Sequence, residues 1–143
     1  MTARRQVSLN AGERIFLNGA VLKVDRRVSV ELLNDATFLV EREILQPHET
    51  TTPLRQLYFV LQTAVLDPEN ADSARRMFEV QHVSLLLAFS NEQVLGGLFD
   101  IKALVARGRL VDALERVRSL FAIEDEILGE GQIALEIKLL EAV

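Results

Sequence analysis

The chain has 143 residues, which suits one ordinary domain or two very small, interdependent ones. It is 49% hydrophobic and 26% charged and contains no cysteine, which excludes disulfide frameworks, thiolate metal sites and thiol nucleophiles. The net charge is −5, but residues 1–60 carry +1 and residues 61–143 carry −6, so any contact with a polyanion is expected in the first half.

Membrane attachment is not indicated by the sequence. The segment MTARRQVSLNAGER has no apolar stretch of signal-peptide length. The longest apolar cluster runs from Val83 to Phe89, far short of the roughly 20 residues that a membrane span needs. We therefore expect a cytoplasmic protein without a membrane span.

Short strands are predicted for the first half of the chain. The segment QVSL alternates apolar and polar residues, and RIFLNGAVLKV, RVSVELL and TFLVER are strand-sized and rich in β-branched or aromatic residues. Asn18-Gly19 predicts a type I′ hairpin, because that turn needs positive φ at both central residues. Asn34-Asp35 predicts a second turn of the same kind.

The alternation in RVSVEL is typical of a strand with one buried and one wet face, as in an antiparallel sheet. Asp25 to Arg27 then fall at the tip of a predicted hairpin. The last strand is predicted to continue through Glu41 to Glu43, which places Arg42 in a strand. We predict an antiparallel β-domain at residues 5–46.

Helical signals begin after the connector QPHETTTP. Thr52 is a candidate N-cap with Pro53 in the first helical position, and this helix is predicted over PLRQLYFVLQTAVL. Asp67-Pro68 repeats the cap-then-proline pattern and predicts a second helix that ends near Ser90.

Two further helices are predicted to form an antiparallel hairpin. Asn91 caps the third helix and Gly108 ends it, and the fourth carries apolar residues on one face from Leu110 to Phe121. After the glycines of GEG a short helix is predicted, either docked or exposed to a partner. With a helical domain at residues 53–142, the fold class is α+β: an N-terminal antiparallel β-domain followed by an α-helical domain.

Catalytic and metal-binding patterns are absent from the sequence. His48 lies in the connector, and His82 is predicted to be a half-buried helix residue, so the two make no metal-ligand spacing. Gly96-Gly97 lies inside a helix and favours close helix packing. We therefore expect no enzyme activity, no cofactor and no metal site.

Cationic and aromatic residues concentrate in the first half. Guanidinium groups for phosphate, beside rings or strand edges for unstacked bases, are typical of single-stranded RNA recognition. The alternatives are a solvated turn at Arg26-Arg27, a salt-bridged edge around Arg42, and rings that belong to the core. The candidate RNA-binding residues are Arg4, Arg5, Arg14, Lys23, Arg26, Arg27, Arg42 and Arg55, and the rings are Phe16, Phe38, Tyr58 and Phe59.

The ordered segments AGER, NGAV, DRR, REILQP, TTPLRQLYF and LDP, with the later ALVARGRLVDALERVRSLF, resemble the FlbT family of flagellar biosynthesis regulators over most of residues 7–124. The resemblance implies a cytoplasmic post-transcriptional regulator, usually a repressor, that acts on flagellin mRNA, commonly at its 5′ untranslated region. It implies interplay with the flagellar protein FlaF and no cofactor. The alternative is a protein-interaction module, acting through FlaF or another flagellar protein, with its partner surface at residues 93–124.

A fainter similarity links the first half to carbon storage regulator proteins, small dimeric β-proteins that bind mRNA with their outer strands. It rests on the layout GER, RVSV and FLVEREI. Of that family's two arginine positions only the one near the closing REI has a counterpart here, Arg42, which as a strand residue is expected to meet base edges. Arg4, Arg5 or Arg26 and Arg27 are the candidates to replace the other. Because a β-domain this small leaves open edges, we expect a homodimer or a higher oligomer.

Overall fold

The computed structural model describes residues 6–130, and in these the first half consists of strands and the second of helices. This confirms the α+β class. The strands form two antiparallel sheets, one of order β1-β4 and one of order β3-β2-β5. Their bounds are β1 Gln6–Leu9, β2 Arg14–Leu17, β3 Ala20–Lys23, β4 Val28–Glu31 and β5 Phe38–Val40.

The predicted hairpin at Asn18-Gly19 is confirmed. Both residues have positive φ, 48° and 86°, and β2 pairs with β3 in the register Leu17 to Ala20. The second turn, at Asn34-Asp35, was predicted wrongly: neither residue has positive φ, and the strands on either side of it, β4 and β5, pair with different partners. Residues that favour a tight turn form a hairpin only where the two flanking strands also pair with each other.

The segment from Asp25 to Arg27 is not a hairpin tip, which corrects the expectation from the sequence. It joins β3 to β4, and these strands lie in different sheets. β4 pairs with β1, whereas β3 pairs with β2. The chain therefore crosses from one sheet to the other at this segment, with the side chains of its three residues exposed.

Two of the three predicted N-caps are confirmed, whereas Asp67 makes no side-chain cap hydrogen bond and the second helix begins only after Asn70. Thr52 Oγ1 accepts from Arg55 N at the start of the first helix, and Asn91 Oδ1 accepts from the amides of Gln93 and Val94 at the third. Gly108 has φ 75° just past the end of the third helix, as a C-terminal stop requires. The helices are α1 Pro53–Leu66, α2 Ala71–Ala88, α3 Glu92–Ala106 and α4 Leu110–Arg118.

Three helix boundaries differ from prediction. A separate 3₁₀ turn, Pro68–Asn70, precedes α2. α4 ends at Arg118, and a new helical stretch covers residues 121–130. Gly129 and Glu130 continue that stretch, so the described part of GEG is helical. The helix predicted beyond it lies outside the described residues.

Two apolar cores meet at β5. Its side chains alternate, so Phe38 and Val40 pack in the core of the β-half while Leu39 enters the helical core. All three side chains are buried. The two predicted regions therefore share a strand, although each has its own core.

Side chains from the helices bind the backbone just after β5. We call residues 43–45 the exit segment. Gln62, which is buried, accepts from Leu45 N at 2.8 Å through its Oε1 and donates to Leu45 O at 3.0 Å through its Nε2. The carbonyl oxygen of Glu43 accepts from the Tyr58 hydroxyl and from Arg118 Nη2, the latter at 2.7 Å.

The helical core is tight where α3 meets the turn after α4. A Cβ built on Gly97 would lie 2.6 Å from Leu120 Cδ1, so the predicted close packing is confirmed there, whereas Gly96 faces open space. His82 is fully buried, not half-buried, with Nε2 2.7 Å from the carbonyl oxygen of Leu98. None of the helices in the described part of the chain is both long and apolar enough to cross a membrane.

The two glycines predict opposite effects of the same substitution. Gly96→Ala should raise stability by roughly 0.5–1 kcal/mol, because alanine lowers the entropy cost of the helix. Gly97→Ala should lower it by about 1–3 kcal/mol, because its Cβ must displace the buried Leu120. Urea unfolding of both variants measures this, and equal stability changes would contradict the close contact.

Candidate nucleic-acid interface

Two cations lie opposite each other on the β2–β3 hairpin. Arg14 and Lys23 are direct cross-strand partners, and both side chains are exposed. Opposite residues of an antiparallel pair share a face, with Cβ atoms about 4.5–5.5 Å apart, so two like charges here are mutually unfavourable. The carboxylate of Glu41 accepts from the backbone amide of Arg14, at 3.0 Å, and not from its guanidinium. An external anion would relieve the repulsion.

The segment from Asp25 to Arg27, where the chain crosses between the sheets, adds two arginines, of which one has a hydrogen-bond partner and the other has none among the described residues. Arg26 donates to both carboxylate oxygens of Asp25, at 3.2 and 3.1 Å, and this bonding lowers the pKa of Asp25. Arg27 is exposed and has no hydrogen-bond or ion-pair partner among the described residues. Both arginines follow Lys23 within four positions of the chain, so they continue the charge of the hairpin. We call Arg14, Lys23, Arg26 and Arg27 the basic patch.

Arg42 lies in a 3₁₀ turn, Glu41–Glu43, and not in a strand as predicted. Its Nη1 donates to Glu13 Oε1 at 2.7 Å, and its Nη2 donates to Ser8 O at 3.1 Å. The pKa of Glu13 is lowered, first by the amide of Asn10, which donates to the same carboxylate, and then by Arg42. Arg42 therefore ties three parts of the β-half together, which leaves it poorly placed to meet base edges.

Arg55 lies in α1 and is held by the helices. It donates to Asp125 at 2.8 and 3.1 Å and to the buried Glu124 at 3.3 Å, and its guanidinium lies 4.5 Å from the centre of the Phe121 ring. The bond to Asp125 raises the pKa of Arg55. Glu124 also accepts from Leu54 N at 2.7 Å, so the same cluster caps α1. We leave Arg55 out of the basic patch.

The remaining candidates are two arginines near the N-terminus and four aromatic rings. Arg4 and Arg5 lie outside the described residues. Phe38 and Tyr58 are buried core residues, and Phe16 and Phe59 are partly buried. No fully exposed ring therefore lies in the described part of the β-half, so the basic patch offers charge and backbone groups but no stacking platform.

A cavity of about 460 Å³ lies between the loop before β5 and the start of α4. Its charged groups include Arg109 and Asp112, which pair with each other at 2.6 Å. Over residues 6–130, no three His, Asp or Glu side chains come together as a metal site. Nothing in this cavity favours a particular ligand.

Sequence reasoning missed the partners of two arginines, Arg26 in the patch and Arg118 at the end of α4. Asp25 masks Arg26, and its position directly before the arginine was the available signal. The sequence analysis did not single out Arg118, although this residue donates to the Tyr58 hydroxyl at 2.8 Å and its guanidinium lies over the Tyr58 ring. Its partners are 60 and 75 positions away along the chain, so no local pattern could have found them.

Comparison with known proteins gives a consistent result. A family model described as "Flagellar protein FlbT" matches residues 6–128. A Rhizobium etli (strain CIAT 652) protein named "Probable flagellum biosynthesis repressor protein FlbT" is 51% identical over 133 residues, which are 93% of this chain and 89% of its own length. Proteins of the same name from Chelativorans sp. (strain BNC1) and Brucella anthropi are 47% and 46% identical, covering 89% and 87% of this chain and 88% and 82% of their own lengths.

No solved structure matches the chain. The fainter similarity to carbon storage regulators is therefore not supported by a match to a solved structure, and it stays a prediction.

The tie between Glu13 and Arg42 predicts a pH effect. Because folding lowers the pKa of Glu13 below its ordinary value of 4.5, its stabilising contribution is complete above that pH and is lost as the pH falls through the lowered pKa. The stability difference between wild type and Glu13→Gln should therefore shrink on acidification from about pH 6 to about pH 3. Urea unfolding across this range measures it, and a constant difference would show that Glu13 is not held as a carboxylate.

Proposed function

The chain belongs to the FlbT family of flagellar proteins, and on that premise we propose that it regulates flagellin synthesis by binding flagellin mRNA. The observation that carries the proposal is the basic patch, where exposed cations accumulate on one hairpin and the segment after it. The relatives' names describe repressors of flagellum biosynthesis, so repression is the proposed direction. An mRNA regulator works in the cytoplasm, which is where we place the chain.

The chemistry of the patch favours contacts to phosphate. Guanidinium and ammonium groups bind phosphate oxygens whatever the base, and such contacts position the RNA without reading its sequence. Without an exposed ring in the described β-half, base stacking contributes little at this surface. We propose that base selectivity, at the 5′ untranslated region for example, comes from RNA shape.

The cations of the patch are not equivalent. Arg27 has no competing partner among the described residues, so its full charge is available to phosphate. Arg26 must first leave the carboxylate of Asp25, which also repels phosphate directly. Arg14 and Lys23 repel each other in the free protein, and a bound phosphate relieves that repulsion.

The charge of the helical half supports this orientation. Residues 61–143 carry a net charge of −6, so RNA is repelled from the helices and steered towards the hairpin. A protein with a net charge of −5 can therefore bind a polyanion through one local surface.

A second candidate is a protein-interaction module that acts through FlaF or another flagellar protein. The observation in its favour is an apolar stripe on the outer face of α2, formed by Val80, Val83 and Leu87, which are 69%, 53% and 84% exposed. Such a stripe fits helix-in-groove binding. This stripe lies outside residues 93–124, the predicted partner surface, in which Phe99 is the most exposed of the large apolar side chains.

The patch predicts that two neighbouring arginines contribute differently. Arg27→Ala should weaken binding to a flagellin leader RNA and to random RNA alike, and should flatten the log–log salt slope by about 0.7, the value for one phosphate contact on a single strand. Arg26→Ala should have a smaller effect, because Asp25 already neutralises much of its charge. Fluorescence anisotropy over a series of salt concentrations measures both.

Arg107→Ala is the matched control, since it removes an exposed arginine just after α3. It should leave affinity and slope unchanged. If Arg27→Ala kept the wild-type affinity and slope while circular dichroism showed the native fold, Arg27 would be an ordinary solvated residue.

Removing Asp25, which competes with phosphate for Arg26, is expected to raise the affinity for RNA. Asp25→Asn deletes a negative charge and releases Arg26, so affinity for RNA should rise and the salt slope should steepen. Glu69→Gln removes an exposed carboxylate in the turn before α2 and serves as the control. An equal gain from both variants would point to net charge alone and not to the patch.

The two candidate functions differ in their need for FlaF. Direct binding predicts that the purified chain binds leader RNA alone, and that Leu87→Lys on α2 does not change that affinity. If the chain bound leader RNA only when FlaF was added, and if Leu87→Lys abolished that binding, the protein-interaction module would be supported.

A further inference from the structure

One edge of the three-stranded sheet is open. β3 is the outer strand of the order β3-β2-β5, and all four of its residues are exposed. Its central side chains are apolar, with Val21 58% and Leu22 48% exposed. An exposed strand edge presents unpaired amide and carbonyl groups that pair readily with another strand.

The register shows which backbone groups are free. Val24 N donates to Glu13 O and Gly12 N donates to Val24 O, so the polar groups of Val24 point towards β2. Backbone groups alternate in direction along an antiparallel strand, so those of Leu22 and Ala20 also point towards β2. The amide and carbonyl groups of Val21 and Lys23 therefore point outwards, and no described residue pairs with them.

β3 is only lightly protected as an edge, by its short length and by Lys23 at its end. It contains no proline, and its register with β2 runs through all four residues without a bulge. Other edges in the β-half are guarded: β4 exposes the polar Ser29 and Glu31, and the carbonyl of Ser8 on β1 is bound by Arg42. The edge of β3, with two apolar side chains at its centre, is therefore the one best able to pair, and through Lys23 it also carries part of the basic patch.

We propose that β3 pairs antiparallel with β3 of a second copy of this chain, about a twofold axis that passes through the sheet between the two Leu22 residues. In this register Val21 of each copy lies opposite Lys23 of the other, so the outward amides and carbonyls of both residues bind each other. Leu22 meets Leu22 in a position without hydrogen bonds, where side chains come closest.

The edge fits its own copy for three reasons. Its free donors and acceptors match themselves under the twofold, its most central side chain is apolar, and each lysine faces a valine and not another lysine. The pairing joins two three-stranded sheets into one of six strands. Because the axis is perpendicular to the sheet, the Arg14–Lys23 pairs of both copies lie on the same face. The dimer would therefore have a larger surface for RNA, a consequence that rests on the proposed function. The pairing of the two β3 strands does not depend on that function.

Single cysteines test the register directly, because the chain has no cysteine of its own. Leu22→Cys should form a disulfide-linked dimer on mild oxidation at micromolar concentration, since this position has cross-strand Cβ atoms about 4.5–5.5 Å apart. Val21→Cys should cross-link far more slowly, because it faces Lys23 of the other copy. Leu33→Cys, at a side chain 86% exposed outside the sheets, gives the rate of random collision.

Cross-linking of Leu22→Cys no faster than that of Leu33→Cys would overturn the proposal. Faster cross-linking of Val21→Cys, or of Leu87→Cys on α2, would also overturn it, since it would place the twofold elsewhere.

A second measurement uses no cysteine and no RNA. Leu22→Lys puts two like charges directly opposite each other and should weaken the dimer about tenfold or more in sedimentation equilibrium. Leu33→Lys, with the same added charge, should not. In the wild type, the amides of Val21 and Lys23 should gain protection from hydrogen exchange as concentration rises. A wild type that stays monomeric, or unprotected amides in a dimer, would contradict β3 pairing and leave the RNA proposal untouched.

Discussion

The fold depends on satisfying the backbone of the exit segment, residues 43–45, where the chain leaves the sheet and enters the helical half. Gln62 binds both polar groups of Leu45, as a neighbouring strand would, and Tyr58 and Arg118 share the carbonyl oxygen of Glu43. Partly buried amides and carbonyls left unpaired would cost about 1–3 kcal/mol each. These bonds, with Leu39 inserted in the helical core, hold the β-half at one orientation to the helices.

This arrangement sorts the arginines by role. Arg42, Arg55 and Arg118 each bind two or more groups within the fold, and their charge is spent on holding elements together. In the β-half, Arg14, Lys23 and Arg27 make no such side-chain contacts among the described residues and lie on the hairpin and the segment after it; exposed cations such as Arg107 also occur in the helical half, but there the net charge is −6. Exposure and the lack of partners, more than the number of arginines, are what make this surface a candidate for phosphate. The same hairpin ends in the open edge of β3, so one small element carries both the charge and the strand that fits a second copy.

The sequence predicted features that depend on neighbouring residues. Asn18-Gly19, Thr52 with Pro53, and Asn91 act within a few positions, and each forms the turn or cap that its chemistry requires. The errors arose where distant residues decide. Strand pairing across two sheets moved Asp25 to Arg27 from a hairpin tip to a crossing, and the contacts of Glu13 with Arg42 accompany a 3₁₀ turn in place of a strand.

For the candidate site, the sequence identified the cations but not which of them are free. The most direct test of the central claim, that RNA binds the basic patch, is a map of amide chemical shifts in the ¹⁵N-labelled chain as flagellin leader RNA is added. We expect the largest changes at residues 12–14 and 23–27 and no changes in α2. Changes concentrated at residues 77–87 of α2, with the hairpin unchanged, would contradict it.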